Sequence, residues 1–182
     1  KKLKLYTLLR SDGYKEYFLK YSWIGYLFYH LLYLVIKKKT RLISVSKNLT
    51  NIKTNSVIEP SELDQNWFNN RKKINKPKPK LLYLGRFRKE KGIFSVIKIF
   101  QSTKINYNLT IAGDNVNLIK VNKNFKTLEK INSQKKIIKL YDDNSIFILP
   151  SYTEGSPKVL KESLARLRPV IIFEEIRHVK KK

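Results

Sequence analysis

Apolar residues in this chain fall into short continuous runs, and the stretches between several of them repeat apolar positions at helical spacing. Leu3 to Leu9 reads as a strand, Ser11-Asp12-Gly13 as a turn, and Glu16 to Ile36 as a helix. A second apolar run follows at Leu42-Ile43-Ser44-Val45, and Ser46 is suited to cap another helix. Val57-Ile58 is a further short strand, closed by Pro60.

Periodicity then fails between Ser61 and Lys80. Asn69-Asn70-Arg71-Lys72-Lys73 leads into Lys76-Pro77-Lys78-Pro79-Lys80, where proline favours extended backbone and like charges repel. The predicted organisation is residues 1–60 as part of one domain, 61–80 as a linker, and 81–182 as a second, incomplete domain. No internal repeat is visible.

The alternation is clearer beyond the linker. Leu81-Leu82-Tyr83-Leu84 ends at Gly85, and Ile93, Phe94, Val96, Ile97 and Phe100 share a helix face. Leu109-Thr110-Ile111-Ala112 ends at Gly113-Asp114. Ser133 can cap a helix carrying Ile137, Ile138 and Tyr141, and Ile146 to Leu149 ends at Pro150. Ser156 and Pro157 suit the N-cap and first position of a helix whose buried stripe is Val159, Leu160, Ser163, Leu164 and Leu167. Val170-Ile171-Ile172-Phe173 is a last strand.

Near-continuous apolar strands separated by amphipathic helices predict an α/β fold with parallel sheets covered on both faces. Right-handed crossovers place the carboxyl ends of all strands on one rim, where such sheets bind ligands. Gly85-Arg86, with Lys91 five residues on, Gly113-Asp114, and Ser151 to Ser156 all follow strands and so collect at that rim. Two cations, small residues and a helix N-terminus make a site for a diphosphate. Glu154 lies in the loop and Glu162 about 9 Å further along the helix axis, a spacing suited to hydroxyls at two ends of a long ligand.

Composition narrows the partners. With 42% hydrophobic residues the chain can bury a core, which excludes wholesale disorder. The net charge of +25 suits anionic partners. Residues 1–80 hold eighteen basic and five acidic side chains, and residues 81–182 twenty-one and nine, so the excess is spread evenly rather than gathered in a nucleic-acid-binding tail. Lys, Asn, Ile and Tyr are abundant throughout, in the manner of a biased genome composition. The absence of Cys excludes disulfides, thiolate metal sites and a cysteine nucleophile, and suits a reducing cytosol. His30 and His178, the two histidines, cannot make a His-rich metal site. A chain that opens on Lys1 without a signal-like segment and stops in a Lys run reads as a piece of a longer protein.

Tyr21 to Ile36 carries no formal charge, but it is short of the ~20 residues a bilayer span needs. Its aromatics beside Lys37, Lys38 and Lys39 suit a helix lying on an anionic membrane face. A core helix buried on one side explains the same pattern and takes precedence.

The segments LLYLGRFRKEKG (81–92), LTIAGDN (109–115) and IFILPSYTEGSPKVLKESLARLRPVI (146–171) resemble the retaining glycosyltransferases of family 4, often called glycosyl transferases group 1. The last segment contains that family's E-x7-E motif as Glu154 and Glu162. It follows a strand ending Leu-Pro-Ser, with G-R-x4-K-G about seventy residues upstream. LISVSKNL (42–49) and VIEPSELDQNWF (57–68) are similar to the end of the family's N-terminal domain.

The resemblance implies a GT-B fold, with part of one Rossmann-like domain preceding a second Rossmann-like domain that binds the donor. It implies that Arg86 and Lys91 hold the diphosphate of a nucleotide-diphospho sugar and stabilise it as the leaving group, and that Glu154 holds sugar hydroxyls; these three are the expected catalytic residues. Gly85, Gly113, Asp114, Gly155, Ser156, Pro157, Val159 and Glu162 are expected to bind the donor, the last through its ribose. It also implies no metal or other cofactor and a glycan or lipid-linked acceptor in surface polysaccharide synthesis. The even spread of charge gives no nucleic-acid partner, the lack of Cys suits a cytoplasmic location, and the aromatic stretch beside Lys37–Lys39 gives peripheral membrane contact as a secondary expectation. An acceptor site is largely missing, so the piece by itself is expected to be inactive.

Two departures stand out: Leu167 where the family usually has Gly, and Glu129 where it has another. Plainer readings exist for several residues. Lys158 and Glu162 are four apart and could form a solvated helix pair, Arg86 to Lys91 a basic loop, and Asp114 a turn cap. Asp142-Asp143 reads as the polar end of a helix rather than a metal-binding D-x-D, and His30 reads as structural. The rival functions are a basic nucleic-acid-binding module and a non-catalytic Rossmann-like domain.

Overall fold

The computed structural model describes residues 4–46, 54, 56–58, 63–74, 79–103, 107–116 and 125–179. The chain forms two compact units. One gathers residues 1–61, 152–157 and 175–182, the other residues 62–151 and 158–174.

In the first unit, β1 (Tyr6–Leu9), β2 (Arg41–Ser44) and β3 (Ser56–Val57) pair in parallel in that order. Parallel neighbours need a long crossover, and α1 (Gly13–Lys39) supplies it between β1 and β2. The expected turn at Ser11–Gly13 is the start of this helix: the Asp12 carboxylate accepts the Lys15 amide at 3.2 Å. α1 is also not the single straight helix the periodicity suggested. Its backbone leaves the helical region at Tyr21 and Ser22, the latter at φ +55°, and the second limb folds back on the first. Tyr14 therefore packs on Tyr26 and Tyr29 with ring centroids 4.9 and 4.8 Å apart, which no straight helix allows. The Tyr14 hydroxyl lies 3.0 Å from His30 Nδ1, in keeping with a structural His30. The helix expected after Ser46, Pro60, and most of the Lys-Pro run lie outside the described residues.

The second unit is a five-stranded, all-parallel sheet in the order β6-β5-β4-β7-β8. Its elements are β4 (Lys80–Leu84), α2 (Ile93–Ser102), β5 (Asn108–Ala112), β6 (Phe125–Leu128), α3 (Gln134–Asp143), β7 (Ile146–Leu149), α4 (Lys158–Ala165) and β8 (Val170–Ile172). The chain enters at the central strand, builds outward to β6, then returns to the other side of β4. That is the Rossmann order, with its reversal between β4 and β7. The buried runs predicted from sequence form the core: Leu81, Tyr83, Leu109, Ile111 and Ile148 pack with Ile93, Val96 and Ile97 of α2. The structure adds β6, which the sequence reading did not contain.

Two further expectations change. The first part of the predicted linker packs on this unit: Trp67 is buried, its ring 6.1 Å from that of Tyr141. α4 begins at Lys158, one residue later than expected, and its buried stripe keeps Ser163 but otherwise shifts. Glu162, Ser163 and Ala165 are inside, while Leu164 and Leu167 are each 56% exposed.

Candidate functional site

The site is built where β4 and β5 end. The Gly85 amide continues the ladder to Ala112 O at 3.0 Å, and Gly113 follows β5 so closely that any Cβ there would strike the Gly85 carbonyl. Only glycine allows this approach, so the two predicted rim glycines touch. The loop leaving β4 is held on both sides of Arg86. The Tyr83 hydroxyl donates to the Arg86 carbonyl at 2.8 Å, and Phe87 is buried with its ring 6.0 Å from that of Tyr83. The Arg86 backbone is thus anchored while its side chain is exposed.

A single 3-10 turn, Lys89–Lys91, follows and ends at Gly92 in the left-handed region at φ +65°. A Cβ at Gly92 would meet the carbonyl of Pro150, so this turn is packed against the end of β7. The loop bearing Arg86 and Lys91 therefore spans the point where the strand order reverses. Lys91 is half-buried. Asp114 lies 3.8 Å from Lys130, with both side chains well exposed, a contact worth little by itself.

Glu162 is the most enclosed of the predicted residues, its side chain 5% exposed. It is not half of a solvated pair. Lys158 stands 3.8 Å from Oε1, and the hydroxyl of Tyr141 lies 3.1 Å from Oε2. The same hydroxyl is 3.2 Å from the carbonyl of Val159, so its one proton is shared between two acceptors on α4. Burial first, then the Glu162 charge and this hydrogen bond, raise the Tyr141 hydroxyl well above the ordinary tyrosine range.

The neighbouring Asp142 is at the polar end of α3, as expected, and its carboxylate is buried and paired. Its side chain is 7% exposed and takes both Nε (3.0 Å) and Nη2 (2.7 Å) of the buried Arg166. The remaining Arg166 donors go to the carbonyls of Trp67, Asn69 and Asn70, so all five N–H groups are used. Arg168 adds a bond to the Lys72 carbonyl at 2.6 Å and a longer one to Asp142 at 3.4 Å. Tyr141 and Asp142 together clamp α4 to α3.

Glu154, Gly155, Ser156 and Pro157 belong to the first unit. Thr153, Gly155 and Pro157 are buried and Glu154 is partly exposed. The Glu154 carbonyl accepts a hydrogen bond from His178 Nε2 at 2.9 Å, which fixes that nitrogen as the protonated one. Tyr141 entered the sequence reading only as an apolar position, and His178 only as a residue too isolated for a metal site. Their partners are 21 and 24 residues away, and no local pattern carries that information. Among the described residues no group of His, Cys, Asp and Glu could hold a metal ion.

Residues 64–180 match the profile of the family described as glycosyl transferases group 1, well over half of the chain. The chain belongs to this family. As a member of the glycosyl transferases group 1 family it is similar in fold to TarM, with a TM-score of 0.69 at 13% identity, all of this chain covered and 39% of TarM. It is similar also to WaaG, a glycosyltransferase involved in lipopolysaccharide biosynthesis, with a TM-score of 0.65 at 16% identity and coverage of 96% of this chain and 58% of WaaG. These likenesses show the GT-B, Rossmann-like fold expected from the sequence. The chain spans well under two thirds of either structure. No curated protein matches it by sequence.

Proposed function

We propose that this chain is the donor-binding part of a retaining glycosyltransferase that moves a sugar from a nucleotide-diphospho sugar to a glycan or lipid-linked acceptor in polysaccharide synthesis. The observation that carries the reading is the Arg86–Lys91 loop, pinned at the reversal of strand order where such sheets take phosphates. Glycosyl transfer develops positive charge at the anomeric carbon and negative charge on the departing diphosphate. Arg86 and Lys91 meet the latter as cations carried on an anchored loop, so the proposed chemistry uses no bound metal. Glu154 takes sugar hydroxyls, amides of Gly155 and Ser156 approach phosphate and sugar, and Glu162 accepts from the ribose. Retention follows if the leaving phosphate guides the acceptor to the face it departs from.

The test is titration of UDP, GDP and ADP into the chain and into the longer protein that contains it. One of the three is expected to bind, and Arg86→Ala to weaken it at least tenfold, the loss of about one charge-assisted hydrogen bond. RNA at matched salt should not compete. Failure of all three nucleotides to bind a folded protein overturns the reading, and tight, steeply salt-dependent RNA binding replaces it with a nucleic-acid module.

A peripheral place on the cytoplasmic membrane face belongs to the same proposal. No described helix is long and apolar enough to cross a bilayer, but Trp23, Tyr26 and Phe28 are exposed on the limb of α1 that ends at Lys37–Lys39. Flotation with anionic vesicles at low salt is expected to carry the protein, and absence from the vesicle fraction removes this part.

A further inference from the structure

Tyr141 is a tyrosine where packing alone asks only for a phenyl ring. Its ring is enclosed by Trp67 and by Phe147, at centroid distances of 6.1 and 5.6 Å, and the residue is fully buried. A phenylalanine would fill the same space, but the hydroxyl reaches one functional carboxylate. It meets Oε2 of Glu162, on the side opposite the oxygen that Lys158 approaches, and ties the same point to the first turn of α4 through Val159 O. A carboxylate rotates freely about its last torsion unless something takes one oxygen. Here one oxygen accepts from a buried, neutral donor, while Oε1 faces an ammonium that is 48% exposed. The donor does not titrate away, because burial and the Glu162 charge keep the hydroxyl protonated throughout the physiological range.

We infer that Tyr141 is a positioning residue for Glu162: its hydroxyl fixes Oε2 so that Oε1 is presented to the ribose hydroxyls of a nucleoside diphosphate. The inference rests on the proposed role of Glu162 as the ribose acceptor. It goes beyond that role in assigning the orientation of the carboxylate to one hydrogen bond from α3.

The experiment reads ribose recognition separately from diphosphate binding. For UDP, or whichever of the three nucleotides binds, affinity is compared with that of its 2′,3′-dideoxy analogue in the full chain. The unaltered protein is expected to prefer the hydroxylated nucleotide by about tenfold or more, as one or two hydrogen bonds to a charged group imply. Tyr141→Phe is expected to lose most of that preference, threefold to tenfold, while the dideoxy analogue binds as before. That unchanged binding also reports that the variant is folded. Glu162→Gln is expected to lose the preference too, and adding Tyr141→Phe to it to lose little more, since the two groups act as one. Equal loss for both nucleotides in Tyr141→Phe, or no loss for either, overturns the inference and leaves the ribose role of Glu162 standing. If the unaltered protein shows no preference while Arg86→Ala still weakens binding at least tenfold, the ribose role itself is wrong and the inference falls with it.

Discussion

Glu162 stands on a helix that two consecutive residues of α3 clamp in place, whereas Glu154 stands in a loop, where its own backbone carbonyl takes a bond from His178. The first acid is nearly dry, and both its oxygens lie near named partners. The second is partly exposed, and the main chain beneath it is held through its carbonyl by His178. A rigid scaffold fixes a charge before ligand arrives, while a loop leaves some of the ordering to the ligand.

The sharpest way to break this contrast is to remove the clamp. Asp142→Ala leaves Arg166 and Arg168 buried without their counter-charge, and breaking a buried pair in this way costs about 3–5 kcal/mol. Denaturant melts of the variant are expected to show a loss of that size, with nucleotide binding lost at the denaturant concentration where α4 detaches. A loss under about 1 kcal/mol would mean that the three backbone carbonyls around Arg166 hold α4 without Asp142.

That clamp is also what the sequence least reveals. The strands Leu81–Leu84, Leu109–Ala112 and Ile146–Leu149 are legible because burial on both faces demands unbroken apolar runs. Phe125–Leu128 alternates with a Lys and a Thr at the sheet edge, and so gives no such run. On α4 the usual rule misleads: Arg166 and Glu162 are inside because distant groups satisfy them, while Leu164 and Leu167 are outside. The packing of residues 63–74 was hidden for the same reason. Residues 63–74 contribute one large apolar anchor, Trp67, and otherwise supply carbonyls to arginines almost a hundred residues later. The candidate rim residues were legible because glycine after an apolar run marks a strand end, and Gly85 and Gly113 do touch. The reversal of α1 at Ser22 has no Gly or Pro at the break to announce it.

The loop side of the contrast is tested by His178→Ala. Loss of one hydrogen bond to a main-chain carbonyl, worth about 1 kcal/mol, is expected to speed amide exchange across residues 153–157 by about fivefold. Exchange in α3 and α4 should not change. His178→Gln, whose side-chain amide can reach the same carbonyl, is expected to restore protection. Unaltered exchange in His178→Ala would show that the buried Thr153, Gly155 and Pro157 hold the loop without it.

The smallest effect tests the far end of the clamped helix, where stability should rise. α4 closes with Arg168 N–H bonding to Ser163 O at 2.9 Å and Leu167 N–H to Leu164 O at 2.9 Å, the paired bonds of a Schellman cap. The Ser163 hydroxyl adds a bond to Arg168 O at 3.1 Å. Such a cap puts the intervening residue in the left-handed region, and Leu167 is there at φ +56°, a conformation that glycine adopts without strain. A residue with a Cβ pays about 1–2 kcal/mol for that conformation, and this leucine recovers little of it because its side chain is mostly in solvent. Glycine removes the strain but makes the unfolded chain more mobile, which returns about 0.4–1 kcal/mol. Leu167→Gly is therefore expected to stabilise the protein by about 0.5–1 kcal/mol, seen as a higher denaturant midpoint at unchanged slope. Leu167→Asn should fall between the two, because asparagine tolerates the left-handed region better than leucine does. A lower midpoint for the glycine variant would mean that the leucine side chain makes contacts in solution worth more than its backbone strain.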